Sequence, residues 1–83
     1  MNANMSISDR ILTSLAKRLK VDVSKIQPQQ SLRQDLGLDS ADSIELIFAL
    51  EETFNIDVSD QDFRKLTTVS DIIQYVHGRL QQM

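Results

Sequence analysis

Between Leu36 and Phe54 the chain runs Leu-Gly-Leu-Asp-Ser-Ala-Asp-Ser-Ile-Glu-Leu-Ile-Phe-Ala-Leu-Glu-Glu-Thr-Phe, a short glycine loop followed by one amphipathic helix. No other stretch limits the fold as strongly. Gly37 supplies a permissive backbone and Asp39 is a preferred N-cap type; Asp42, three residues later, places a carboxylate where the positive end of the helix macrodipole favours it. Ser40 then falls in the first turn. Laid out at about 100° per residue from Ser40, Leu46, Ile47, Leu50 and Phe54 occupy roughly 240–340° and form a core stripe. Ala41, Ile44 and Phe48 occupy roughly 40–100°, interleaved with Glu45, Glu51 and Glu52. Two apolar stripes on one helix admit two readings. Either a small bundle buries most of the helix and the acids solvate what is left, or the second stripe is a surface for a basic partner.

Ser40 also admits two readings. A hydroxyl in the first turn lies near free backbone N–H groups and the positive dipole end, a setting that suits a covalently attached phosphate. A serine there is equally an ordinary helix-start residue.

The run from Gly37 to Leu46, continued through Ala49-Leu50-Glu51-Glu52 and Phe54, closely resembles the signature of acyl carrier proteins. The similarity extends in register from about Ile7 to about Val76 and includes Thr67-Thr68-Val69 and Tyr75-Val76. It implies an all-α fold, a small four-helix bundle with a long first loop and a short third helix. It further implies that Ser40 carries 4′-phosphopantetheine, whose terminal thiol holds acyl groups as thioesters for fatty-acid, polyketide or related lipid biosynthesis. The implied partners are a phosphopantetheinyl transferase and acyl-transferring and synthase enzymes with basic docking patches. Their footprint would be Asp39, Ala41, Ile44, Glu45, Phe48, Glu51 and Glu52. Aminoacyl and D-alanyl carriers share the fold and the serine, with helix-two surfaces that are generally less uniformly acidic.

Two positions depart from the pattern: Ala41 stands where the family usually has leucine, and Leu38 where a smaller residue is common. In the family an acyl chain tends to slip between the second helix and the last two, and the matching positions are Ile47, Leu50, Phe63, Leu66 and Ile72. Well-studied fatty-acid carriers often have alanine where this chain has Phe63 and Ile72. Interiors pack tightly, so these two larger side chains predict a small or closed pocket and a cargo that is short, polar or held outside.

Composition removes other classes. The 83 residues make one domain, with about 60% of the unfolded surface buried, enough for a small bundle and too little for an enclosed active site. Aromatics are 5% (Phe48, Phe54, Phe63 and Tyr75), so the core is mostly aliphatic. A net charge of −3 argues against nucleic-acid binding and against adhesion to anionic membranes. Without cysteine, any thiol must be added to the chain. No run approaches the ~18 apolar residues of a membrane span, and Met1 to Ser8 lacks a signal-peptide pattern, so a cytoplasmic monomer is expected. His77, the single imidazole, lacks the partners that general-base chemistry needs. Asp39 with Asp42 reads as dipole compensation, and no metal-ligand cluster has the right spacing. The chain reads as a substrate of enzymes; the alternative is a non-carrier helical module that docks a basic partner with Ser40 unmodified.

Along the rest of the chain, Met1 to Ser6 is expected to fray, leaving about residues 7–80 ordered. Ser8 is expected to cap a first helix carrying Ile11, Leu12, Leu15, Ala16 and Leu19, with Lys17, Arg18 and Lys20 toward its C-terminal end. Val21 to Asp35 has no sustained period and reads as a long loop around Pro28; the resemblance to acyl carriers implies that apolar anchors tie it down, and Val23, Ile26, Leu32 and Leu36 are the candidates. Ser59 opens a brief third helix with Phe63 and Leu66 facing inward. Thr68 with Asp71 starts a fourth helix carrying Val69, Ile72, Ile73, Val76 and Leu80. Gly78 is expected to weaken its end and to leave Gln81 to Met83 loose.

Overall fold

The computed structural model describes residues 6–81, so the expectations for Met1 to Met5, Gln82 and Met83 lie outside the described residues. The first helix, α1 (Ile7–Leu19), is capped by Ser6 and not by Ser8: the Ser6 hydroxyl accepts from the Asp9 amide at 3.1 Å. Both serines precede the apolar period. Ile7 packs against the core, and a start at Ser6 brings it into the helix that carries it there. At the other end Lys20 adopts a left-handed conformation (φ 58°), its N–H and that of Val21 both donating to the Ala16 carbonyl.

The long loop is more ordered than its lack of periodicity indicates. A 3₁₀ turn covers Val23–Lys25, and Ser31 to Gly37 is wound by amides returning to the Ser31 and Arg33 carbonyls. Ile26 and Leu32 are buried anchors and Leu36 packs beside them, as expected, whereas Val23 is 43% exposed and anchors nothing. Leu38, at the far end of the loop, is buried as well. The loop is pinned to the start of the last helix by three backbone hydrogen bonds, Leu32 N–H to Thr67 O, Val69 N–H to Gln30 O and Ser70 N–H to Pro28 O, around an antiparallel bridge between Ser31 and Thr68. Those bonds satisfy backbone groups that a loop lying on the core would otherwise leave unpaired.

The remaining elements are α2 (Ser40–Phe54), the one-turn α3 (Asp60–Phe63) and α4 (Val69–Gln81), so four α-helices make up the fold and no strand occurs among the described residues. Asn55 ends α2 in the left-handed region (φ 56°), the Asn55 and Ile56 amides both donating to the Glu51 carbonyl while Ile56 turns into the core. Helix α1 packs against both α2 and α4, and Ile11, Leu15, Leu46, Leu50, Val69, Ile72 and Val76 are almost wholly excluded from solvent. Helix α4 continues through Gly78 to Gln81, and Leu80 beyond the glycine packs against the core.

Thr68 and Asp71 cap α4 reciprocally. The Asp71 carboxylate accepts from the Thr67 hydroxyl at 2.9 Å, the Thr67 amide at 3.1 Å and the Thr68 amide at 3.0 Å, and the Thr68 hydroxyl accepts from the Asp71 amide. The Thr67 hydroxyl and backbone bonds, and then those of Thr68, hold the Asp71 carboxyl below its ordinary value of 3.8 against the opposing effect of burial. A depressed folded-state value stabilises the fold above the unfolded-state pKa, and that contribution is lost as pH falls through the folded value. Asp71→Ala is therefore expected to cost about 1–2 kcal/mol at pH 7, the range for loss of a helix cap, with the gap to the parent narrowing in acid as pH falls below the ordinary carboxyl value of 3.8. Thermal melts at the two pH values check this; an unchanged gap in acid would show that the carboxylate charge contributes nothing.

Candidate functional site

The start of α2 is built by the turn before it. Gly37 sits at φ 72°, which redirects the chain, and the buried Leu38 behind it fixes the entry, its amide donating to the Leu32 carbonyl at 2.9 Å. Asp39 then caps the helix: its carboxylate accepts from the Asp42 amide at 2.8 Å, and the Asp42 carboxylate accepts from the Asp39 amide at 3.4 Å. The two acids are thus engaged with each other's backbone. No group of three or more His, Cys, Asp or Glu that could hold a metal occurs among the described residues. The Ser43 amide makes the first intrahelical bond, to the Asp39 carbonyl. The amides of Ser40 and Ala41, one turn earlier, have no intrahelical acceptor, and the Ser40 side chain is exposed beside them.

Helix α2 presents its two stripes differently. Leu46, Ile47, Leu50 and Phe54 are buried, with the Arg10 guanidinium lying 4.7 Å from the centre of the Phe54 ring. Ala41 is exposed, Ile44 is 42% exposed and Phe48 61% exposed, so the bundle does not bury the second stripe. Of the acids along it, Glu52 is free in solvent and Glu45 lies 3.6 Å from Arg18 of α1, a surface pair worth little by itself. Glu51 is half-buried and accepts from the Val58 amide at 2.8 Å, clamping the connection to α3. Nothing in the sequence announced that role, since the two residues are seven apart and Val58 lies beyond the end of α2.

Of the clefts along this helix, two also touch α3. One, of about 540 Å³, borders Ser40 and Ser43 and is lined by Ser31 to Gln34 and by Phe63, Arg64, Leu66 and Thr67. The other, of about 400 Å³, lies between α2 and α3, against Ile44, Ile47, Phe48, Val58 and Phe63. The half-buried Phe63 is common to both. Of the five residues implied for an acyl pocket, Leu66 thus lines the first cleft, Ile47 the second and Phe63 both, while Leu50 and Ile72 lie in the closed core at 1% and 0% exposure and line neither. The third helix is held in place by the Tyr75 hydroxyl, which donates to the Asp62 carboxylate at 2.8 Å. Burial, and then that acid, push the phenol above its ordinary value.

The family described as "Phosphopantetheine attachment site" matches residues 9–76, a span that contains this helix start and both clefts. A protein named acyl carrier protein from Thermosynechococcus vestitus (strain NIES-2133 / IAM M-273 / BP-1) is 38% identical over 74 residues, which is 89% of this chain and 91% of the relative. The chain belongs to the acyl carrier protein family. Its fold agrees: the solved structure of a Mycobacterium tuberculosis protein provisionally assigned as an acyl carrier protein superposes with a TM-score of 0.83 at 32% identity, over 88% of this chain and 97% of that one. Members of this family are carriers and not enzymes, and their cofactor is a covalently attached 4′-phosphopantetheine.

The residues of this acyl carrier protein fit that group. An exposed serine hydroxyl, two spare first-turn amides and an adjoining cleft offer a point of attachment, hydrogen-bond donors for a phosphodiester and room beside it. The group supplies the terminal thiol that a chain without cysteine lacks. Arg33 and Arg64, which line the cleft at Ser40, are additions that reading the sequence did not single out. They are 31 positions apart and meet only because the long loop and α3 flank the same helix start.

Proposed function

We propose that Ser40 is the attachment point of the prosthetic group and that the protein carries acyl intermediates as thioesters for fatty-acid, polyketide or related lipid biosynthesis. The observation that carries this reading is the exposed Ser40 side chain at the first position of α2, beside unengaged amides and on the edge of a cleft. The test is intact-mass measurement of the full chain before and after treatment with coenzyme A and a broad phosphopantetheinyl transferase, followed by fragmentation. The added mass is expected on the peptide containing Ser40; a chain that gains none overturns the reading.

Partner enzymes dock, in this reading, on Asp39, Ala41, Ile44, Glu45, Phe48 and Glu52, with Glu51 contributing the oxygen that Val58 does not use. The exposed Ile44 and Phe48 supply apolar contact, and the acids beside them supply steering toward basic patches. Affinity should fall as ionic strength rises. Ala41 makes the apolar contact smaller than a leucine would, by about 1–2 kcal/mol where the site is fully buried. Ala41→Leu is therefore expected to raise kcat/KM with generic fatty-acid enzymes about tenfold, and equal values for both forms would remove the idea.

For the cargo, the buried Leu50 and Ile72 and the half-buried Phe63 support an interior closed to long chains. Admitting one means displacing packed side chains, at about 1–3 kcal/mol by analogy with overpacking a core. Melting midpoints of the holo, octanoyl and palmitoyl forms should then be nearly equal. A clear rise with chain length would reveal a tail sequestered in the bundle, because newly buried apolar area stabilises the folded state.

A further inference from the structure

The cleft at Ser40 combines an apolar lining from Leu32, Phe63 and Leu66 with two basic residues, Arg33 and Arg64. Neither arginine has a carboxylate partner, since the one ion pair among the described residues joins Arg18 to Glu45. The nearby acids are otherwise engaged: Asp35 accepts from the Ser31 amide, and Asp39 and Asp42 accept from each other's backbone. Asp60 shares the second cleft with Arg64 but forms no ion pair with it. In a chain of net charge −3, with acids along the exposed face of α2, this places two unneutralised cations beside the one serine proposed to hold the cargo.

We propose that this cleft receives an acyl group that ends in a carboxylate, its short carbon chain on Leu32, Phe63 and Leu66 and its carboxylate between Arg33 and Arg64. The proposal rests on the attachment at Ser40 and names a substrate class for it. A volume of about 540 Å³ lies within the usual range for small-molecule sites. A phosphate alone would leave the apolar lining idle, and a plain alkyl chain would leave two guanidiniums unused. Arginine matches a carboxylate in planar, bidentate fashion. The site is open, so its intrinsic affinity is low, but a tethered ligand meets it at an effective concentration of about millimolar.

The experiment loads the full chain with glutaryl or pentanoyl groups, which have equal carbon counts and differ in the terminal carboxylate. The transferase and the corresponding acyl-coenzyme A donors do the loading, and intact mass verifies it. The glutaryl form should melt about 2–5 °C above the pentanoyl form, as expected when effective concentration equals or modestly exceeds the dissociation constant. The Nε–Hε resonances of Arg33 and Arg64 should move in the glutaryl form alone. Both effects should vanish in R33Q/R64Q and shrink in 0.5 M salt. Because both arginines are exposed, the unloaded double variant is expected to melt within about 2 °C of the parent. Resonances that move fully when the bare prosthetic arm is added, with no further change on glutaryl loading, would show that the phosphodiester is their partner and overturn the proposal. Equal midpoints for the two acyl forms would also overturn it while leaving the attachment at Ser40 intact, whereas a chain that gains no mass defeats both.

Discussion

Ser40→Ala is expected to remain at the mass of the unmodified chain under conditions in which the parent is fully converted, and with the arm to lose all acyl carriage. In the proposed reading the loss is all-or-none because the phosphodiester is formed on the Ser40 oxygen itself, and the hydroxyls around it are set differently. Ser43 lines the same cleft but is half-buried almost a full turn into α2. The fold should not suffer. Ser40 is exposed, its side chain makes no hydrogen bond that holds the helix start, and alanine is the best helix former, so the midpoint should stay level or rise slightly. A folded, unmodified Ser40→Ala together with a modified Ser43→Ala would separate attachment from structure. Prosthetic mass on Ser40→Ala would move the site to another hydroxyl and defeat the assignment.

The next largest effect is expected from Leu46→Ala, set against Phe48→Ala two positions along the same helix. Leu46 has no exposed surface, and leucine-to-alanine changes in cores cost about 2–5 kcal/mol through lost transfer energy plus the cavity left behind. A domain of this size has only about 4–12 kcal/mol of stability in total. At about 4–8 °C per kcal/mol, Leu46→Ala should lower the midpoint by at least about 10 °C, and at the upper end should unfold the protein near body temperature. Phe48 is the larger side chain, yet it is 61% exposed, so its truncation should cost less than about 1 kcal/mol. Chemical denaturation of the two variants measures the contrast. Comparable losses would mean that α2 is rotated relative to the core, and the exposed stripe with its docking role would go with it.

That contrast between neighbouring residues was already legible in the sequence. The spacing of Leu46, Ile47, Leu50 and Phe54 against Ala41, Ile44 and Phe48 is a property of helical geometry, as are the caps of α2, α3 and α4, formed by residues three apart. The long run matching the carrier signature identified the family and pointed to the serine at the helix start. The sequence left open whether the second stripe was covered, because periodicity describes one helix and not what packs on it.

Tertiary structure decided whatever depends on distant segments meeting. Pattern alone favoured Ser8 over Ser6 as a cap, and only the packing of Ile7 on the core showed where α1 begins. Val23 and Leu38 are both plausible anchors by composition; in the folded chain the second is buried and the first is not. Glu51 looked like one more surface acid until its carboxylate met the Val58 amide. The same holds for Arg33 and Arg64, which no local spacing relates. Helix periods and the caps of α2, α3 and α4 are set by bonds between near neighbours, so the sequence by itself determined them; the cleft beside Ser40 exists only where a pinned loop and a one-turn helix converge, and only the folded chain brings its charges together.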